Sequence, residues 1–143
     1  MLEVAPRPIG GLCARALRFE PDESLEELLL RHALGEDVSK VRLAGPASGV
    51  MMIPIPGAGI YQGVEGVEEA RGVPGIEDVV ITAKEGEKLV PLPEGSSYLG
   101  FLFARAREPE QVETALRDAH ARLRFRLAVA LEVMSQFLDL GGT

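Results

Sequence analysis

Cysteine, histidine, lysine and asparagine are all scarce in this chain, and each shortage removes a class of chemistry. A single cysteine, Cys13, allows no internal disulfide and does not make a zinc site. It reads as a small buried hydrophobe rather than a nucleophile. The two histidines, His32 and His120, fall inside predicted helices, and no His-Glu-x-x-His or comparable ligand spacing occurs. No run of about 18 apolar residues is present, so no membrane-spanning helix is predicted. Residues 1–16 lack the continuous apolar core of a secretory signal, which leaves the cytoplasm as the expected location. Basic charge is short as well. The net charge is −7, which argues against a broad nucleic-acid-binding surface. Two small basic clusters, Arg15 with Arg18 and Arg122 with Arg124 and Arg126, read as solvated faces. Three lysines stand against twelve arginines, and asparagine is absent. Loss of thermolabile amides fits a heat-adapted source, and a GC-rich genome gives the same arginine bias.

What remains is ordinary for a soluble globular protein: 46% hydrophobic and 26% charged residues. A length of 143 residues suits one domain, or one domain plus a fragment. That is enough to bury a core without staples. Leu2 and Val4 alternate with Glu3, which suggests a short strand start, and Pro6 and Pro8 end it. Leu12–Phe19 is a short helix or a turn. The first clear helix is Ser24–Gly35. Ser24 and Glu27 form a capping box, Leu25, Leu28, Leu29 and Ala33 mark an apolar face, and Gly35 stops it. Glu36–Pro46 is a polar connection, with a domain boundary near Leu43–Ala47.

From Val50 the pattern changes. Val50–Pro56 is strand-like, and Ile60–Val64 is the next strand. Glu65–Arg71 is a two-turn helix stopped by Val73-Pro-Gly. Ile76–Ala83 and Tyr98–Ala106 are strands, separated by a proline-containing loop over Leu89–Gly95. A second strong helix opens at Glu108-Pro-Glu and repeats Val112, Leu116, Ala119 and Leu123 on one face. Leu123–Val129 alternates as a last strand, and Ala130–Leu140, apolar nearly all round, reads as a C-terminal helix buried against something else; the alternative is one long helix from Pro109 to Leu140. From Gly59 to Val129 the order is strand-helix-strand-strand-helix-strand, the split βαβ or ferredoxin-like pattern. The predicted class is therefore α+β, an antiparallel sheet with helices on one face, plus an extra N-terminal helix and strand. The Val50–Ile55 strand and the first helix are the candidates to cover the second face.

Chemical signals from the residues alone are thin. Gly57-Ala-Gly59 and Gly63-Val-Glu-Gly66 are not phosphate loops, and Gly63 and Gly66 suit a strand-to-helix turn. The most pointed pair is Glu3 and Arg7. On an extended segment they could serve a metal and an anion, or simply form a terminal ion pair.

The stretch Glu3-Val-Ala-Pro-Arg-Pro-Ile-Gly-Gly resembles the end of the catalytic domain of ATP-grasp ligases, in the L-amino-acid-ligase-like, biotin-carboxylase-like branch. The family motif there is Glu-x-Asn-x-Arg; Glu3 and Arg7 match it, and Ala5 stands in place of the Asn. Ser24-Leu-Glu-Glu-Leu, Gly49-Val-Met-Met-Ile-Pro-Ile-Pro, Val64-Glu-Gly-Val-Glu-Glu-Ala-Arg, Val73-Pro-Gly-Ile and Tyr98-Leu-Gly-Phe-Leu-Phe-Ala-Arg-Ala are similar to the family's C-terminal region. The resemblance covers residues 3–127. It implies that residues 1–43 are the end of an ATP-grasp core with its helix, and that 44–143 are a C-terminal α+β domain with a helical tail. It implies Glu3 as a magnesium ligand and Arg7 as a catalytic phosphate or substrate contact. It also implies that ATP and Mg2+ bind only when an ATP-grasp core completes the site. The expected role is a C-terminal domain inactive alone and partnered by a separate ATP-grasp chain. The alternative is an oligomeric ferredoxin-like small-molecule-binding or regulatory module, associating through the apolar tail, with no nucleic-acid or membrane partner.

Overall fold

A computed structural model describes residues 10, 12–95 and 97–129. The expected strand at Leu2–Val4, the Glu3–Arg7 pair and the helix at Ala130–Leu140 lie outside the described residues.

After a 3-10 turn at Cys13–Ala16, helix α1 spans Leu25–Ala33. Its start is the predicted capping box: Glu27 N donates to Ser24 Oγ at 3.2 Å, and Ser24 N donates to Glu27 Oε2 at 2.8 Å. Six strands and two further helices follow: β1 Ala47–Ile53, β2 Gly59–Glu65, α2 Val67–Arg71, β3 Ile76–Ile81, β4 Lys88–Leu89, β5 Gly100–Ala106, α3 Pro109–His120 and β6 Arg124–Ala128.

The class is α+β, as the hydrophobic periods indicate. The strands form two antiparallel three-stranded sheets, ordered β1-β5-β3 and β4-β2-β6. Both outer pairings of the split βαβ pattern are present, β3 with β5 and β2 with β6. The single four-stranded arrangement is not, because β1 occupies the place beside β5 that β2 would take. The two candidates differ in regularity. β1 pairs with β5 residue for residue, from Ala47 opposite Ala106 to Ile53 opposite Gly100. β2 shifts register against β6 between Tyr61 and Gly63, and a bulge of this kind twists a strand away from a flat neighbour.

The core lies between the β1-β5-β3 sheet and its helices. Leu102 and Ala104 of β5, Val79 of β3 and Ile53 of β1 bury against Val112, Ala115, Leu116 and Ala119 of α3. Helix α2 packs on β3 and α3 and contributes the fully buried Ala70. Gly49 lets α3 close on β1, since a Cβ there would sit 2.8 Å from Val112 Cγ1. Gly66 opens α2 with φ 86°, and a side chain there would also meet the Arg122 carbonyl.

The second face of this sheet differs from expectation. The expected Val50–Ile55 strand becomes part of β1 and joins the sheet instead of covering it, and α1 buries none of its residues, leaving Leu30 64% exposed and its cap residue Leu34 79% exposed. The face carries Phe101 and Phe103, stacked with ring centroids 6.4 Å apart. The 3-10 turn lies across it, so helix-forming Leu25–Ala33 is displaced from this role by the segment before it. Among the described residues no helix is long and apolar enough to cross a membrane.

Candidate functional site

The chain that follows the Glu3–Arg7 stretch is fastened to the outer face of the β1-β5-β3 sheet. Leu12 O accepts from Arg15 N and Ala14 O from Leu17 N, both at 3.0 Å, which makes the short 3-10 turn. Ser48 Oγ on β1 donates to Ala16 O at 2.7 Å. Ala44 N then donates to Arg18 O at 2.9 Å, and Phe19 bridges both Glu23 and Leu43. These ties fix Arg15 over the Phe103 ring, 4.6 Å from its centroid. They also bring its Nη2 to 2.9 Å from Asp78 Oδ2.

The carboxylate side comes from a bulge in β3. The register against β5 shifts between Ile76 and Asp78. Asp78 keeps its other oxygen, Oδ1, on the Val79 N–H at 2.8 Å. Glu77 pairs with Arg105 of β5, Oε1 to Nε at 2.8 Å. Arg15, Arg18, Glu77, Asp78, Phe103 and Arg105 together line a polar cavity of about 270 Å³. Three guanidiniums meet two carboxylates, so the surplus positive charge falls on Arg18, which forms no ion pair among the described residues. That charge also helps hold the Glu27 carboxyl below its ordinary value, after the larger effects of the Ser24 backbone and hydroxyl. A guanidinium with no carboxylate bound among the described residues presents a donor fork suited to a carboxylate or phosphate. The pairs themselves are half-exposed and contribute little stability, so the cluster positions more than it stabilises.

Several sequence expectations can be placed. Arg15 is not a merely solvated side chain; it is stacked and paired. The Arg122–Arg126 cluster is solvated as expected: Arg126 pairs with Glu65 at 3.3 Å, and Arg122 Nη1 donates to Asp118 O at 2.7 Å. Cys13 is half-buried rather than buried. His32 is exposed and His120 half-buried. Among the described residues no group of three or more His, Cys, Asp or Glu could hold a metal ion. Glu77, Asp78 and Arg105 escaped sequence reasoning. Their signal was two acids opening an otherwise apolar strand, Ile76-Glu-Asp-Val-Val-Ile, and a lone arginine in the most apolar strand. A larger groove of about 640 Å³ runs along α3 past Val73, Gly75, Ala106 and Ala115. Its one basic lining residue, Arg105, is already engaged by Glu77.

Residues 51–128 match the family model described as L-amino acid ligase C-terminal domain 2. The matched block runs from within β1 to the end of β6 and so takes in the whole core. Among solved structures, the crystal structure of an L-amino acid ligase from Bacillus licheniformis superposes with a TM-score of 0.59 at 24% identity. The overlap covers 73% of this chain and 26% of the ligase, so the chain spans about a quarter of that enzyme's length. At that identity the likeness establishes the fold. No curated protein matches. The resemblance read from the sequence, to the C-terminal region of ligases of this branch, agrees with both findings. The chain belongs to the L-amino acid ligase C-terminal domain 2 family.

Proposed function

We propose that the chain serves as the C-terminal domain of an ATP-grasp carboxylate–amine ligase, silent alone and completed by an ATP-grasp core on a separate chain. The observation that carries this reading is the family match across residues 51–128, which holds every buried residue of the core cluster. In such a ligase the carboxylate is activated as an acyl phosphate and then joined to an amine. Phosphoryl transfer depends on positioning by many groups at once, so a C-terminal domain contributes by placement. On this reading residues 1–43 are the end of the core and 44–143 the domain proper. Glu3 ligates magnesium and Arg7 contacts phosphate or substrate. Glu3 would hold the magnesium ion, which would supply positive charge to offset the negative charge developing in phosphoryl transfer. The Arg15–Asp78–Phe103 fastening then has a clear purpose: it holds the stretch that follows Arg7 against a rigid sheet. A cytoplasmic location goes with this reading.

The test is amino-acid-dependent phosphate release from ATP and Mg2+. The chain alone is expected to stay at background across a panel of amino-acid pairs. Mixed with an L-amino acid ligase core cut before its own C-terminal domain, it is expected to bind and raise turnover. Ligation by the pure chain, or no binding to such a core, would sink the proposal.

A further inference from the structure

We infer that the open edge of β1 is a self-association surface, where two copies of the chain join antiparallel into one six-stranded sheet, β3-β5-β1-β1-β5-β3. This inference is independent of the ligase reading. β1 is a terminal strand of its sheet, and its outer edge pairs with no other described strand. Proteins protect such edges with charge, proline, bulges or shortness. Every other edge in the described structure has such protection. β3 carries a bulge with Glu77 and Asp78, β4 is two residues long with Lys88, and β6 carries Arg124 and Arg126. β1, Ala-Ser-Gly-Val-Met-Met-Ile, has no charge, no proline and no bulge over seven residues, and Met52 is 41% exposed.

The geometry selects a second copy as the occupant. Gly49, Met51 and Ile53 face the helices, while Ser48, Val50 and Met52 face the other side. A register that keeps the two faces apart must pair odd positions with odd and even with even, because a one-residue slip reverses every side chain. A two-fold axis through Val50 satisfies this and sets Ser48 of one copy opposite Met52 of the other. Helix α3 packs equally on β1 and β5, so it sits midway over that strand pair. With strands about 4.8 Å apart, the two copies of α3 then lie about 10 Å apart, a normal helix-packing distance. The flank of α3 that borders this edge carries Glu113, Arg117 and His120 beside Val50 and Met51. Glu113 and Arg117 pair within one copy at 2.6 Å and are largely exposed. The two-fold axis reverses one α3 against the other and brings Glu113 of each copy towards Arg117 of its mate, so the charges of the flank are self-complementary.

The test is sedimentation equilibrium of the full chain with two edge variants. The wild-type chain is expected to approach twice its 15.4 kDa mass as its concentration is raised to about 100 μM. Ser48→Lys with Met52→Lys places lysines opposite each other twice across the axis and is expected to give monomer. Ser48→Lys with Met52→Glu places opposite charges there and is expected to restore the dimer. Two symmetric pairs should separate the variants' dissociation constants by on the order of thirtyfold. Both positions are exposed, and both variants lose the Ser48 hydrogen bond, so any folding cost is shared. A monomeric wild type, or two variants that sediment alike, overturns the inference.

Discussion

Gly49 is the position where a single methyl group should decide how α3 meets the sheet. A Cβ there would lie 2.8 Å from Val112 Cγ1 and 3.4 Å from Leu116 Cδ1. Val112 is β-branched, helical and 5% exposed, so its methyl cannot swing aside. Two effects oppose each other in Gly49→Ala. Alanine in a strand gains about 0.5–1 kcal/mol over glycine through the backbone entropy of the unfolded chain. Forcing one methyl into a packed interface costs about 1–3 kcal/mol. The clash wins, and the net loss is expected at about 1–2 kcal/mol. For a chain of this size that lowers Tm by roughly 2–6 °C. The control is the same change in a Val112→Ala background, which removes the obstructing methyl. There Gly49→Ala should turn neutral or stabilising, by up to about 1 kcal/mol. The assay is urea unfolding followed by far-UV circular dichroism, since the chain has no tryptophan. A stabilising effect in the native background, or equal effects in both, would refute the account of how α3 sits on β1.

Two further perturbations address the outer face and α1. Arg15→Ala removes both the Phe103 stacking and the Asp78 pair; global stability should fall by no more than about 1 kcal/mol because the side chain is half-exposed. Amide exchange at Arg15 and Leu17 should nevertheless accelerate severalfold while β5 amides hold, and unchanged exchange would show that Arg15 does not fasten the turn. Glu27 should titrate below the 4.5 of a free glutamate, chiefly because it accepts from the Ser24 backbone and then the Ser24 hydroxyl. A carboxyl depressed in the folded state contributes stability above its unfolded pKa, lost as pH falls through the folded value. Ser24→Ala should move Glu27 back towards 4.5 in a carbon-detected NMR titration, and no movement would contradict the capping box.

Much of the fold could be read in the sequence because its signals are local. The Ser24–Glu27 box, the proline at the start of α3 and the Val112–Leu116–Ala119 stripe each depend on neighbours within one or two turns. Glycine and proline marked the ends of α1 and α2 for the same reason. Strand partnership was less legible. Nothing in Ala47–Ile53 states that it will pair with β5 in preference to β2, because partnership is a property of two strands and not of one. The outer face was misassigned on similar grounds. Amphipathicity promised that α1 would cover it, yet the stacking of Arg15 on Phe103 links residues 88 positions apart and has no local signature. The Glu3–Arg7 pair lies outside the described residues, and the Arg15–Asp78–Arg105 cluster had no motif at all.

The central claim is that this domain contributes to a ligase only when an ATP-grasp core joins it. The most direct measurement is phosphate release from ATP, with and without amino acids, for the chain alone and for the chain mixed with such a core. The account predicts background release alone and amino-acid-dependent release in the mixture, lost when Arg7 is changed to Ala. Amino-acid-dependent release by the chain alone, or a mixture no more active than the core by itself, would contradict it.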